Sequence, residues 1–275
     1  MNDEPLLYVY AVVRAPFGED GPPPGPASGE TLGTGLTTVE HRGLTAVVEA
    51  VPAADFDEAP LRERLEDLDW LAEVARAHHG VVAAAGRRVT TVPLRLATVC
   101  RGESGVRRLL EEGERGLSEA LARLTGVHEW GVKLYVDESA AAQRAPAVGV
   151  PGGANGTARA DSGRDYLRRR LGEQRARRDA GDTAARTAHQ VHEVLSRAAV
   201  DTVLHPPQQA RLSGAPGRNV LNAAYLVRDE EEQRFLAAVP PVEDTHPGLR
   251  LEITGPWVPY SFARTPSDAE EGRDR

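Results

Sequence analysis

The order of strand-like and helix-like segments after residue 129 constrains the fold more than any other feature of the sequence. Residues 129–137 alternate apolar and polar side chains, as a strand with one buried face does. The segments that follow are a helical stretch over 164–200 with an interruption near Gly181, strands over 203–212 and 220–227, a short helix over 230–238 and a strand over 249–254. This order is the βαββαβ pattern of the ferredoxin-like fold. We therefore predict an α+β chain whose C-terminal domain is ferredoxin-like.

The first half of the chain predicts a separate α+β domain. Strand patterns occupy residues 6–13, 43–51 and 89–96, and helical patterns occupy residues 60–86 and 104–124. The boundary falls near residues 125–129, so we predict an N-terminal domain over 1–127 and a C-terminal domain over 128–265. The stretch near 140–163 is rich in glycine and other small residues, which predicts a flexible insertion. We expect residues 266–275 to form a disordered tail.

The predicted helix over 60–86 has a wide apolar side. One row of residues repeats at steps of four and three, and it comprises Leu61, Leu65, Leu68, Ala72, Ala75, His79 and Val82. A second row comprises Leu71, Val74, His78 and Val81. We expect this side of the helix to be buried, with His79 as a core histidine.

The composition disfavours several classes of protein. No stretch approaches the roughly 20 apolar residues that cross a bilayer, and the apolar run at 6–13 is too short for a signal peptide. Cys100 is the only cysteine, which excludes an internal disulfide and a thiolate metal cage. A formal net charge of −8 disfavours generic nucleic-acid binding. We expect a soluble protein of the cytoplasm.

Two pairs of histidines are the candidate metal ligands. His78 and His79 are adjacent on a helix and diverge by about 100°, so they cannot easily hold one ion. His189 and His192, with Glu193, have a spacing that could bind a transition metal. A helical zinc site is expected to have histidines at i and i+4 with a glutamate between them, and this pattern is missing at His78 and His79. His189 and His192 have no identifiable partner on another element. A core histidine and an exposed polar face are therefore the favoured interpretations. A metal-dependent enzyme that uses one of these pairs is kept as an alternative.

No catalytic or nucleotide-binding motif is complete in the sequence. Ser104, Ser118 and Ser196 lie in no Gly-x-Ser-x-Gly elbow. The run Gly33-Thr34-Gly35 begins a dinucleotide-binding match but lacks its third glycine. We therefore predict a protein that is not an enzyme and that binds no cofactor and no metal.

An arginine-rich run over 164–178 is the candidate nucleic-acid surface. It comprises Arg164, Arg168, Arg169, Arg170, Arg175, Arg177 and Arg178. Acidic residues interleave with these arginines, and Tyr166 is the one aromatic residue that could stack on a base. A solvated helix face is the favoured interpretation, and a nucleic-acid-binding regulator is kept as the alternative.

Residues 255–262, which we name the C-terminal strap, are the most informative segment of the chain. The strap reads Gly-Pro-Trp-Val-Pro-Tyr-Ser-Phe. Its prolines limit conformational freedom, so little entropy is lost when the strap docks. It could dock on its own protein or on a partner, and docking within the protein is favoured because aromatic side chains usually bury.

The strap closely resembles the Gly-Pro-Trp-Pro-Pro-Tyr-Ser-Phe ending of the gas vesicle protein F/L family (GvpF/GvpL). Shorter stretches resemble the family in the same order along the chain, at residues 8–12, 70, 77–79, 92–95, 130–135 and 222–227. Two positions depart from the family pattern. Val258 stands where the family has a second proline, and Leu96-Ala97-Thr98 stands where Phe-Gly-Thr is common.

The resemblance implies an accessory or minor structural protein of gas vesicles, the protein-walled flotation organelles of some microorganisms. Such a protein would act in the cytoplasm and at the vesicle, binding the major shell protein and other accessory gas vesicle proteins, with no nucleic acid or lipid membrane as partner. The family's architecture implies an N-terminal α+β domain and a modified ferredoxin-like domain. The family-motif residues of the strap are Gly255, Pro256, Trp257, Pro259, Tyr260 and Phe262.

The start of the predicted 60–86 helix is the candidate surface for the shell protein. The resemblance implies a shell protein that is small and very apolar, so before assembly a partner must cover its surface. The residues that we expect to bind it are Leu61, Leu65, Leu68 and Trp70, which we name the leucine face.

Overall fold

The computed structural model of the chain describes residues 4–17, 31–137, 163–208 and 217–263. Helices and strands are mixed along it, which confirms the predicted α+β class. The chain groups into two compact units. The first comprises the residues up to Glu129 together with those from Pro256 onward, and the second comprises Trp130–Gly255. The predicted C-terminal domain ran to residue 265, whereas the described residues from Pro256 to Ala263 group with the first unit.

The first unit is built on a five-stranded sheet. Its strands are β1 (Leu6–Arg14), β2 (Leu36–His41), β3 (Leu44–Val51), β4 (Thr91–Pro93) and β5 (Val99–Arg101). The order is β2-β3-β1-β4, and β5 also pairs with β1. All the pairings of β1 are antiparallel, with a bulge between Val9 and Ala11 where it pairs with β3. Since β3 occupies one edge of β1 and the two short strands the other, β1 is the central strand.

Helices cover both faces of this central strand. They are α1 (Ala53–Phe56), α2 (Glu58–Arg64), α3 (Leu68–Gly86) and α4 (Gly102–Arg123). α3 shares one core cluster with Tyr8 and Tyr10 of β1. α4 contacts β1, β2 and β3, and its buried residues Val106, Leu110 and Leu121 are not part of that cluster. We infer that α4 lies on the opposite face of the sheet.

The single helix predicted over 60–86 is two helices in the structure, so that prediction was wrong. α2 ends before Leu65, and α3 begins after Asp67. The Asp67 carboxylate accepts hydrogen bonds from the backbone N–H groups of Asp69 and Trp70. A side chain that satisfies these first N–H groups starts a new helix.

The buried residues of α3 come mainly from one of the two apolar rows. The second apolar row of the sequence pattern supplies the core, through Val74, His78 and Val81. His79 is exposed, so the prediction that it is a core histidine was wrong. His78, one residue earlier, lies on the buried row of α3 and takes that place.

The second unit contains a four-stranded sheet with the strand order β7-β8-β6-β9. In chain order its elements are β6 (Val127–Val136), α5 (Gly163–Arg197), β7 (Asp201–Leu204), β8 (Arg218–Arg228), a 3-10 turn (Asp229–Glu231), α6 (Glu232–Ala237), α7 (Val242–Thr245) and β9 (Leu249–Trp257). β7 ends two residues before Pro206, since proline cannot donate to a strand ladder. The predicted strand over 203–212 is therefore shorter and starts earlier. Most of the predicted insertion, over 140–162, and the predicted tail over 266–275 lie outside the described residues.

One core cluster holds the second unit together. Side chains of β6 and β8 pack there against Ala184, Ala188, Val191 and Leu195 of α5. The helix runs without a break past Gly181, so the predicted interruption was wrong. A helical glycine costs only about 1 kcal/mol relative to alanine, which the packing of the second half of α5 offsets. No helix within the described ranges is long and apolar enough to cross a membrane.

A buried carboxylate fixes the loop before β2. Glu49 of β3 is fully buried and accepts hydrogen bonds from Tyr10 Oη at 2.6 Å, from Leu32 N at 2.9 Å and from Gly35 N at 3.0 Å. A Cβ on Gly33 would lie 1.9 Å from the Ala50 carbonyl oxygen, so only glycine fits there. The Gly33-Thr34-Gly35 run therefore serves loop packing, which accounts for its glycines without a nucleotide.

We expect Glu49→Ala to lower the free energy of unfolding by about 3 kcal/mol or more, because it leaves a buried hydroxyl and two backbone N–H groups without their acceptor. Urea denaturation at neutral pH measures the change. Glu40→Ala, at an exposed position of β2, is the control and should stay within about 0.5 kcal/mol of the parent protein. Equal stability of the two variants would contradict the structural role of Glu49.

Candidate functional site

Polar contacts within the first unit hold the end of the C-terminal strap. Glu129 accepts hydrogen bonds from the backbone N of Ser261 at 2.8 Å and from its Oγ at 2.7 Å. Arg123 Nη2 donates to the Phe262 carbonyl oxygen at 2.7 Å. Burial raises the pKa of the Glu129 carboxyl, although the bonds from Ser261 act in the opposite direction. The end of the strap is therefore anchored by specific bonds as well as by apolar contact.

Apolar contacts seat the middle of the strap on α3. Pro259 and Phe262 are buried. Val258 lies against the last residue of α3, and a Cβ on Gly86 would come within 2.3 Å of Val258 Cγ2. Trp257 remains 41% exposed and meets the His79 ring edge-on at 5.4 Å between centroids. The strap thus docks within the protein, while Trp257 keeps a large exposed surface.

Beneath the strap lies a cluster of aromatic rings with few polar partners. Tyr8 Oη accepts from the Ala97 N–H at 2.9 Å, so its own hydrogen can be donated to His78 Nδ1, 3.0 Å away. This arrangement assigns the remaining ring hydrogen of His78 to Nε2. Among the described residues, neither His78 Nε2 nor Tyr260 Oη has a hydrogen-bond partner. Burial, and to a smaller extent His79, lower the pKa of His78 to about 4, with the Leu94 backbone opposing the shift.

The structure does not bring either histidine pair together as metal ligands. His78 is buried under the strap while His79 is exposed. His189 is exposed as well, whereas His192 turns toward the sheet and its Nδ1 lies 2.9 Å from Tyr225 Oη. Within the ranges that the structure describes, no group of three or more histidine, cysteine, aspartate or glutamate side chains is arranged to hold a metal ion.

The arginine-rich run lies on the first part of α5. Arg170, Arg175, Arg177 and Arg178 are exposed there. The side chains of Arg164, Arg168 and Arg169 lie outside the described residues. From residue 170 to residue 183 no side chain is buried, and burial begins at Ala184. The described arginines therefore form a solvated face, the favoured interpretation of the sequence.

The leucine face lies where α2 gives way to α3. Leu65 is 43% exposed and Leu68 is 72% exposed, while Leu61 and Trp70 are half-buried against the core. The Trp70 ring packs on Phe56 at 5.5 Å between centroids. Both rings line a cleft of about 380 Å³. These residues are thus an apolar surface with an adjoining depression.

Sequence reasoning missed Glu49, Arg123 and Glu129. Glu49 had a visible signal, since it is the one charged residue in the apolar run of β3, and a carboxylate there must find donors when it is buried. Arg123 and Glu129 had no such signal, because their partners in the strap are more than 130 residues away.

These features define a class of protein. It mixes helices and sheets, packs an aromatic C-terminal strap on its first unit, and exposes apolar and charged helix faces. The family model described as "Gas vesicle synthesis protein GvpL/GvpF" matches residues 6–264. The chain therefore belongs to the gas vesicle GvpL/GvpF family, which confirms the resemblance seen in its sequence and supports a role related to gas vesicles.

Curated relatives share nearly the whole chain. It is 51% identical over 263 residues to gas vesicle protein L of Streptomyces sp. (strain CB03234), covering 96% of this chain and 94% of the relative. It is 27% identical over 270 residues to gas vesicle protein F of the same strain, covering 93% and 98%.

Two solved structures share the fold. The crystal structure of GvpF from Anabaena sp. PCC7120 aligns with a TM-score of 0.59 and 20% identity, covering 94% of this chain and 96% of that one. GvpF from Microcystis aeruginosa aligns with a TM-score of 0.60 and 18% identity, covering 94% and 99%. At these identities the likeness concerns the fold alone.

We expect acidification to destabilise the protein through His78. In the unfolded chain this histidine binds a proton near pH 6.5, whereas in the folded protein its pKa is about 4. Protonation of this histidine therefore favours the unfolded chain. The free energy of unfolding should fall by about 3 kcal/mol as the pH drops from about 6.5 to 4. Urea denaturation at pH 7 and pH 4 measures this change, and His78→Gln should lose less unfolding free energy between the two pH values than the parent protein. The exposed-site control His189→Gln should keep the parent's loss, and an equal loss in all three proteins would contradict the prediction.

We expect Glu129→Ala to release the end of the strap. The Ser261 N–H donates to the Glu129 carboxylate, so removing the acceptor should speed the hydrogen exchange of this amide by on the order of tenfold. Exchange measured by NMR or mass spectrometry on a peptide containing Ser261 tests this. The control Glu112→Ala changes an exposed glutamate of α4 and should leave the exchange unchanged. Undiminished protection in Glu129→Ala would show that the carboxylate does not anchor the strap.

Proposed function

We propose that this protein is an accessory or minor structural protein of gas vesicle formation, which binds the major shell protein and other gas vesicle proteins during assembly in the cytoplasm. The observation that carries the proposal is the 51% identity to a gas vesicle protein L over almost the whole of both chains. Identity to the F protein of the same strain is 27%. We therefore propose an L-type rather than an F-type role.

We propose that binding occurs at the leucine face. Exposed leucines cost free energy in water, and covering them with an apolar partner recovers about 25 cal/mol for each square ångström buried. Leu68 is the most exposed of the large apolar side chains in the described residues. The adjoining cleft at Phe56 and Trp70 offers room for an apolar side chain of the partner. These features support the leucine face as the site where an apolar shell protein is covered before assembly.

We propose that the two units are separate domains and that the second is a modified ferredoxin-like domain. Support comes from its element order of strand, helix, strand, strand, helix, strand, and from an antiparallel β7–β8 pair beside β6. The N-terminal domain then includes the strap from Pro256 onward as well as residues up to about 127.

We propose that the protein acts by binding rather than by catalysis. The relatives are named as gas vesicle proteins and not as enzymes. Within each pair of histidines that an alternative metal-dependent enzyme would need, the two side chains differ in burial. The described arginines of α5 form a solvated face. No specific observation favours either alternative.

We expect Leu65→Ser/Leu68→Ser to reduce co-purification of the major shell protein with the tagged full-length chain, because both substitutions remove exposed apolar surface from the leucine face. The two proteins are expressed together, and the shell protein retained on the tag is quantified by immunoblot. The matched control is Leu171→Ser/Leu204→Ser in the second unit, where the leucines are 54% and 60% exposed. We expect the first variant to retain several-fold less shell protein than the parent, and the control to retain as much as the parent.

Three results would contradict the proposal at different levels. Failure of the parent protein to retain the shell protein, together with normal vesicles in a host lacking the gene, would remove the proposed function. Equal retention by the parent and both variants would remove the leucine face as its site. Equal loss in both variants would show that any exposed leucine suffices, which also contradicts a specific face.

A further inference from the structure

The leucine face lies in an acidic part of the described helices. Residues 55–76 contain eight acidic residues and three arginines, a net charge of −5. The whole chain has a net charge of −8. Excess negative charge therefore surrounds the exposed leucines of this surface.

Internal ion pairs neutralise only part of this charge. Arg62 pairs with Glu58 and Arg64 pairs with Asp55, and Arg101 reaches across to Asp57. Asp67 caps α3. The carboxylates that remain are exposed and form no ion pair with any described residue: Glu63, Glu66, Asp69 and Glu73.

These four carboxylates interleave with the leucine face along the chain. Glu63 and Glu66 flank Leu65, and Asp69 lies between Leu68 and Trp70. Glu73 lines the cleft next to Trp70, where the exposed Arg76 is the one cation among the lining residues. A partner that covers the leucines therefore cannot avoid coming close to several unneutralised carboxylates.

The chemistry of the partner follows from the cost of dehydrating charge. A wholly apolar partner would strip water from these carboxylates without replacing their hydrogen bonds, which costs free energy. A partner with arginine or lysine beside its apolar side chains would pair with them instead and gain charge-assisted hydrogen bonds. Nucleic acid and an anionic lipid surface would be repelled.

We propose that the leucine face binds a basic amphipathic segment, in which arginine or lysine side chains flank the apolar side chains that cover Leu65 and Leu68. The proposal rests on the proposed function, because it names the chemistry of the segment that the partner presents. Its apolar side chains meet the leucines and the cleft at Phe56 and Trp70. Its cations meet Glu63, Glu66, Asp69 and Glu73.

Two synthetic peptides of about five helical turns test this directly on the full-length protein. Both carry leucine on one face, and the other face carries lysine in one peptide and glutamate in the second. Fluorescence anisotropy at low ionic strength should show binding of the lysine peptide and at least tenfold weaker binding of the glutamate peptide. Raising the salt concentration should weaken the lysine peptide's binding.

Charge reversal then locates the binding site. Glu63→Lys/Glu66→Lys/Glu73→Lys should weaken lysine-peptide binding by on the order of tenfold. The control Glu112→Lys/Glu230→Lys/Asp244→Lys changes the net charge equally, at exposed acidic positions far along the chain from the leucine face, and should keep binding within about twofold. If circular dichroism shows that the charge-reversal variant of the leucine face is misfolded, Glu63→Gln/Glu66→Gln/Glu73→Gln replaces it. This neutral variant should show part of the same loss of affinity for the lysine peptide. Leu65→Ser/Leu68→Ser should weaken binding as well.

Equal weakening by the two charge-reversal variants would overturn the proposal, because binding would then follow net charge and not this face. Strong binding of the glutamate peptide would overturn it too. The same variants in the co-purification assay separate this proposal from the proposed function. If the leucine variant loses the shell protein while the charge-reversal variant retains it, the proposed function stands and the basic partner segment is rejected.

Discussion

The burial of β1 on both faces is the constraint on which the rest of the first unit depends. Every residue from Leu6 to Val13 is buried, so both faces of the strand need a cover and each polar side chain in it needs a partner. α3 and α4 provide the covers. Glu49 and the Ala97 N–H provide partners for the hydroxyls of Tyr10 and Tyr8. The Tyr8 hydroxyl also contacts His78, and the strap covers that histidine.

The sequence predicted these elements best where local pattern decides them. β1, β3, β6 and β8 have apolar or alternating patterns, and each was located to within a few residues. The break between α2 and α3 could not be predicted from the pattern, because the apolar spacing from Leu61 to Val82 continues across it. It coincides with the cap that Asp67 forms at the start of α3, a contact worth about 1 kcal/mol. The placement of the strap depends on Arg123 and Glu129, whose distance from it along the chain leaves no local signal.

The two departures from the family pattern have different physical consequences. Valine at position 258 lacks the conformational restraint that the family's second proline provides. Its side chain fills the space above Gly86, so an apolar contact takes the place of that restraint. Ala97 has a φ of 62°, a left-handed conformation that glycine adopts without strain and that costs other residues about 1–2 kcal/mol. Its N–H nevertheless donates to Tyr8 Oη, so the network under the strap holds this residue in an unfavourable conformation.

The junction between α2 and α3 is where the leucine face lies. Leu68 and Ala72 lie on an exposed row of α3, whereas the row that contains Val74, His78 and Val81 is buried. Leu65 follows α2 and Leu68 begins α3, so both exposed leucines lie at the junction, beside the Asp67 cap. The acidic residues beside them would be costly on a buried stripe, and at an exposed junction they remain hydrated until a partner arrives. Exposed leucines and unneutralised carboxylates therefore share one location, which is why we treat them as one binding surface.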